Sequence, residues 1–137
     1  VHGNDPGNHI AYLYNQAGAP ERTQERVRMI CETMYGPEVT GLCGNDDAGQ
    51  MSAWYLFSSL GFYPVAPGSG MYELGSPNVR SASIRVGYGK VLRIETVGNA
   101  QGKTTVQSVA WNGEPIEGWR IPAKALFEGG TLTFTFE

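Results

Sequence analysis

Gly44-Asn45-Asp46-Asp47-Ala48-Gly49-Gln50-Met51-Ser52-Ala53-Trp54-Tyr55-Leu56-Phe57-Ser58-Ser59-Leu60-Gly61 sets an acidic segment directly against a bulky apolar one. From Met51 to Leu60 the only polar side chains are serine hydroxyls and a tyrosine OH, which predicts a helix apolar nearly all round and therefore buried. Asp47 followed three residues later by Gln50 fits a capping box, the carboxylate accepting from backbone N–H groups while the amide reaches back. Gly61 suits the left-handed position just past the helix end. Two or three carboxyl or amide groups are thus expected at the mouth of a buried helix, a fixed place for acid–base chemistry. A lone capping aspartate contributes about 1 kcal/mol and needs no function to explain it. The second carboxylate, Asp46, and the glycines Gly44 and Gly49, which let backbone come close to a ligand, go beyond that need. The Asn45-x-Asp47-x-Gly49 spacing lacks the glycine position and closing glutamate of an EF-hand, so that reading is rejected.

Outward from this stretch the chain is helical on one side and β-rich on the other. It opens with His2, Asn4, Asp5, Asn8 and His9 around Gly3, Pro6 and Gly7, ahead of an apolar run from Ile10 to Ala17. Asp5 or Asn4 capping a helix with Pro6 at its first position is the plain structural reading. The functional reading is a second shelf of ligands facing the one at Asp47. Gly18-Ala19-Pro20 then breaks the chain, and an amphipathic helix is predicted from about Pro20 to Tyr35, with Val27, Ile30, Cys31 and Met34 on one face. An amphipathic helix followed by an apolar one is the pattern of the outer and inner helices of an α/α barrel.

After Gly61 the period switches from helical to two. A Pro/Gly-rich crossing, Phe62 to Gly70, leads to strands predicted at Met71 to Leu74, Ala82 to Val86, Val91 to Val97, Thr105 to Trp111 and Thr131 to Phe136. The last alternates strictly, placing Leu132, Phe134 and Phe136 on one face and threonines on the other. A turn or short helix is expected around Pro122 to Phe127. The expected class is α+β, divided into a helical part, residues 1–66, and an antiparallel, β-sandwich-like part, residues 67–137.

Composition narrows the functions. The 137 residues suffice for one domain with a core, and 41% hydrophobic content is that of a globular chain. A net charge of −3 with no Lys/Arg cluster offers no surface for nucleic acid. The apolar segments are too short for a membrane span, and the opening residues are neither a signal peptide nor a targeting sequence. Beginning without methionine, inside a motif-like stretch, the chain reads as a piece of something longer. Cys31 and Cys43 are expected to be free, buried thiols, and neither has a close partner ligand at zinc spacing.

Residues 44–54, continuing through Leu60-Gly61-Phe62-Tyr63-Pro64, closely resemble the signature of glycoside hydrolase family 92, the calcium-dependent exo-acting α-mannosidases. Gly3-Asn4-Asp5-Pro6 through His9 to Tyr14 resembles that family's second signature, and Val106 to Val109, Asn112-Gly113 and Gly129 to Leu132 resemble its C-terminal strands. The resemblance implies the last helices of an (α/α)6 catalytic barrel followed by trailing strands, in an enzyme that removes terminal α-mannose with inversion. Inversion needs a carboxylic acid and a base carboxylate roughly 6.5 to 9.5 Å apart. Asp47 matches the general base, with Asp46 and Asn45 assisting; His2, Asn8 and His9 are implied in substrate binding. Asn4, Asp5 and Asp47 are the implied oxygen ligands for calcium, which would hold the sugar's 2- and 3-hydroxyls. Two positions depart from the family pattern: Asp5 stands where Glu is usual, and Asn8 where His is usual. The general acid lies upstream in the family, so this chain alone is expected to hydrolyse nothing.

The implied partners are a mannose-containing glycan and the remainder of the parent enzyme, with no nucleic acid and no membrane; the exposed apolar surface of Met51 to Leu60 also predicts self-association. The family expectation is a bacterial protein in the periplasm, at the cell surface or secreted. The alternative is a carbohydrate-binding or structural support module, with Trp111 and Trp119 as candidate sugar-stacking groups.

Overall fold

The computed structural model describes residues 2, 7–37, 41, 49–98 and 105–137. A 3-10 turn at Ile10–Tyr12 runs into α1 (Leu13–Gln16), followed by α2 (Pro20–Thr33) and α3 (Gln50–Leu60). Pro20 takes the first position of α2, where its missing N–H costs nothing. The α2 helix buries Val27, Ile30 and Cys31 as its spacing predicts, and also Thr23 and Gln24. Met34 is exposed instead, because α2 ends at Thr33 and Met34 serves as its cap.

The α3 helix departs from expectation at its start and on its surface. Gly49, with φ of 80°, is the N-cap, so Gln50 is the first helical residue rather than the third that a capping box requires. Met51, Trp54, Ser58 and Ser59 are buried, whereas Ser52, Ala53, Tyr55 and Leu56 are exposed. The helix is therefore covered along one face only, since no other described element packs over its second apolar face. Gly61 closes it as expected: φ is 97° and its N–H reaches the carbonyls of Phe57 and Ser58, each at 3.1 Å. A Cβ there would stand 2.6 Å from the Phe134 ring, so glycine is demanded twice over.

Strand β1 (Phe62–Tyr63) pairs with β2 (Met71–Leu74), which pairs with β7 (Arg120–Pro122), in an antiparallel three-stranded sheet. The larger sheet has the order β3 (Ser81–Gly87), β4 (Lys90–Val97), β8 (Gly130–Phe136), β5 (Val106–Trp111), β6 (Glu114–Pro115). It is mixed, not purely antiparallel, because β4 and β8 run parallel, Leu92 opposite Gly130 through Val97 opposite Thr135. A parallel pair needs a long crossover. Here β5, β6, β7 and α4 (Ala123–Glu128) intervene, the last realising the short helix expected near Pro122.

Two clusters of buried side chains result. Leu92, Ile94, Val106, Val109, Leu132, Phe134 and Phe136 form the β core with Phe62, Leu74, Ile121 and Leu126. Ala11, Tyr12, Val27, Ile30, Cys31 and Trp54 form the helical one. Polar staples join them. Gln24 Oε1 accepts the Val106 N–H at 2.8 Å, and Arg28 Nη2 donates to the Pro77 carbonyl at 2.6 Å. Asn15 Nδ2 donates to Glu73 Oε2 at 3.1 Å and to the Leu74 carbonyl at 2.9 Å, while Arg120 Nε binds the other Glu73 oxygen at 2.7 Å. Glu73 is thus a buried carboxylate with both oxygens occupied.

Candidate functional site

His2 and Asn8 of the first polar stretch meet α3 at Trp54. The first turn of α3 follows Gly49, and one turn further along its buried face stands the Trp54 indole, fully enclosed. Its Nε1–H donates to the backbone carbonyl of Asn8 at 2.8 Å, fixing the first polar stretch to the helix that follows the second. His2 stands against the same indole, ring centroids 4.3 Å apart in an edge arrangement, and its Nε2 lies 2.7 Å from the Tyr35 hydroxyl. Tyr35 in turn stacks on Trp54 with the planes 7° apart, and Tyr55 leans on Tyr35 with centroids 5.0 Å apart. Aromatic pairs of this geometry add about 0.5–1.5 kcal/mol each beyond the area they bury.

Below this layer the Tyr12 hydroxyl and Ser58 Oγ are hydrogen-bonded at 2.7 Å, and the Tyr12 ring stacks on Tyr63. Burial pushes the Tyr12 phenol well above its ordinary pKa, so it stays protonated and acts as a strut. Burial lowers the pKa of the His2 imidazole, favouring the neutral ring. A neutral imidazole has one donating and one accepting nitrogen. Burial pushes the Cys31 thiol up to about 11, an inert thiol in accord with a structural role, and it is free.

Of the sequence-predicted residues, His2, Asn8 and His9 are thus placed: His2 and Asn8 converge on Trp54. His9 caps the 3-10 turn through its carbonyl, 3.0 Å from the Tyr12 N–H. The helical run after Pro6 is broken into that turn and the four-residue α1. Asn4, Asp5, Asn45, Asp46 and Asp47, and with them Cys43, lie outside the described residues. Among the described residues no three His, Cys, Asp or Glu side chains form a metal-sized cluster. Trp111 and Trp119 are half-buried and pack against the β core; Trp119 has φ of 56° and its carbonyl accepts the Leu74 N–H at 2.9 Å.

Sequence reasoning passed over Trp54 as a junction and the Asn15–Glu73–Arg120 group. The signal for the second was available: Glu73 is the only charged residue in the strand Met71 to Leu74, and a lone acid in a buried strand needs donors.

Comparison with known proteins resolves the kinship. The model of the glycosyl hydrolase family 92 catalytic domain matches residues 1–137. The chain belongs to glycoside hydrolase family 92. It is similar to the family 92 α-mannosidase BT3965 of Bacteroides thetaiotaomicron, with 37% identity and a TM-score of 0.93 over 99% of this chain and 18% of that one. It is also similar to the family 92 inverting mannosidase BT2199 of the same organism, with 34% identity and a TM-score of 0.90 over 99% of this chain and 18% of that one. An uncharacterized secreted glycosidase of Arthroderma benhamiae is 27% identical over 97% of this chain and 18% of its own length. The chain therefore spans about a fifth of the length of these relatives. No helix among the described residues is long and apolar enough to cross a membrane.

Proposed function

We propose that this chain is the base-carrying part of an inverting, calcium-dependent exo-α-mannosidase, formed from the last helices of an (α/α)6 barrel and the strands that follow. The observation that carries the reading is the bond from the Trp54 Nε1–H to the Asn8 carbonyl, with His2 against the same indole, which holds both residues on the helix that Asp47 precedes in the sequence. The similarity to two family 92 mannosidases along nearly the whole chain supports the same reading. In it, Asp47 accepts the proton of the attacking water, Asp46 and Asn45 orient that water, and His2, Asn8 and His9 bind sugar hydroxyls. Asn4, Asp5 and Asp47 supply the hard oxygen donors calcium takes, and the ion when bound would hold two sugar hydroxyls and favour ring distortion. The general acid comes from residues outside this chain, and export is inferred from the secreted relative.

In the full-length parent, Asp47→Ala is expected to lower kcat on an α-mannoside by about 10²- to 10⁴-fold, the span of a general base. Retention of wild-type kcat would remove Asp47 from the mechanism. Residues 1–137 alone, with calcium added, are expected to show no turnover; hydrolysis above buffer would overturn the assignment of the acid to another part of the parent.

A further inference from the structure

His2 is held by two rings and a hydroxyl. Tyr35 follows the end of α2, and the Gly36 N–H, bonded to the Gly41 carbonyl at 2.8 Å, ties the chain immediately after it. The Tyr35 ring lies flat on the enclosed Trp54 indole and leans on Tyr55, so the phenol is itself supported on both sides. From that support its Oη lies 2.7 Å from His2 Nε2, while the His2 ring stands edge-on to both Trp54 and Tyr35. Rotating the imidazole away would break the two edge contacts and the hydrogen bond together. The ring is half-buried, and among the described residues no hydrogen bond takes up its Nδ1.

The phenolic proton decides what His2 can offer. Tyr35 Oη also stands 3.9 Å from Met51 Sδ, but a thioether is a weak acceptor and an imidazole nitrogen at 2.7 Å a far better one. The phenol therefore donates to Nε2. In a neutral imidazole the nitrogen that accepts leaves the proton on the other. We propose that Tyr35 is a positioning residue for the glycosidase reaction: it fixes His2 as the Nδ1–H tautomer, so that His2 meets the sugar as a hydrogen-bond donor to one of its oxygens. The sugar's part in this rests on the mannosidase reading, in which His2 binds substrate; the fixed tautomer rests on the contacts around the ring alone. Without the phenol both tautomers are open, and a ring that presents a bare Nδ1 can no longer donate there.

Nitrogen NMR of the full-length parent, carrying isotope-labelled histidine, tests the tautomer directly, the His2 signals being assigned by their loss in His2→Ala. At neutral pH the wild type is expected to show Nδ1 protonated and Nε2 bare, and Tyr35→Phe, which keeps the ring on Trp54, a mixture of the two forms. A protonated Nε2 with a bare Nδ1 in the wild type, or the same tautomer in both proteins, overturns the proposal. In the same parent Tyr35→Phe is expected to lower kcat/KM on an α-mannoside about 3- to 10-fold, and to lower it no further once His2 is replaced by Ala. Equal losses in the two backgrounds would mean that Tyr35 acts by packing and not through His2, and also overturn it. The two readings separate cleanly. A parent that turns over no α-mannoside but holds the Nδ1–H form breaks the proposed function and leaves the hold of Tyr35 on His2 standing; an active parent with His2 in mixed tautomers does the reverse.

Discussion

Among the described residues the β-region encloses a larger core than the helical region does. Leu132, Phe134 and Phe136 are buried between ladders that the chain itself supplies on both sides, and the polar groups of the central strands are spent on neighbours. The helices enclose Trp54 and Tyr12 yet leave Ile10, Leu13, Met29, Met34, Tyr55 and Leu56 substantially exposed. The helical region thus shows apolar faces that no other described element covers.

The largest expected stability effect tests whether the β core supports the helices. Phe134 packs under the Gly61 cap of α3, so Phe134→Ala opens a cavity at the seam between the regions. It is expected to cost about 3–5 kcal/mol in urea unfolding. A loss below about 1 kcal/mol would mean that the site collapses freely and that the seam is not tightly packed.

Asn15 comes next. Its Nδ2 serves Glu73, Leu74 and, at 3.4 Å, the Trp119 carbonyl, all across the divide between the regions. Asn15→Ala leaves those acceptors short of a donor and is expected to cost about 1–3 kcal/mol. Thermal unfolding sharpens the comparison. A single transition shifted as a whole means that the regions fold as one unit; a shift confined to an early, partial transition means that the helices melt by themselves.

The same contrast explains what could be read from the residues. Every strand with a period-two pattern was legible, because alternation in Thr131 to Phe136 or Ala82 to Val86 is enforced by a core within the chain. The parallel β4–β8 pairing was not, since register and direction between distant strands leave no local mark. Gly61 was legible as a cap because its positive φ is a local demand. The exposed apolar surface of α3 was legible from its composition: its apolar residues exceed what the described neighbours cover. Trp54 as the joint between Asn8 and α3 was not legible, because its bond to the Asn8 carbonyl spans 46 residues.

The smallest expected effect probes that joint through pH. Burial lowers the His2 pKa in the folded protein below its ordinary value near 6.5. Between the folded and unfolded values the unfolded chain binds more protons, so stability rises with pH there. The contribution of neutral His2 is complete above the unfolded value, and falls as acidification drives the ring toward a cation held against Trp54 and the Tyr35 hydroxyl. The drop in Tm from about pH 7.5 to about pH 5.5 is therefore expected to be larger in the wild type than in His2→Gln, which cannot titrate. Solvent reaches part of the ring and keeps the difference small. Equal slopes in the two proteins would mean that the imidazole contributes no proton-linked stability to the joint, leaving the Trp54 bond to the Asn8 carbonyl to hold the opening turn to α3.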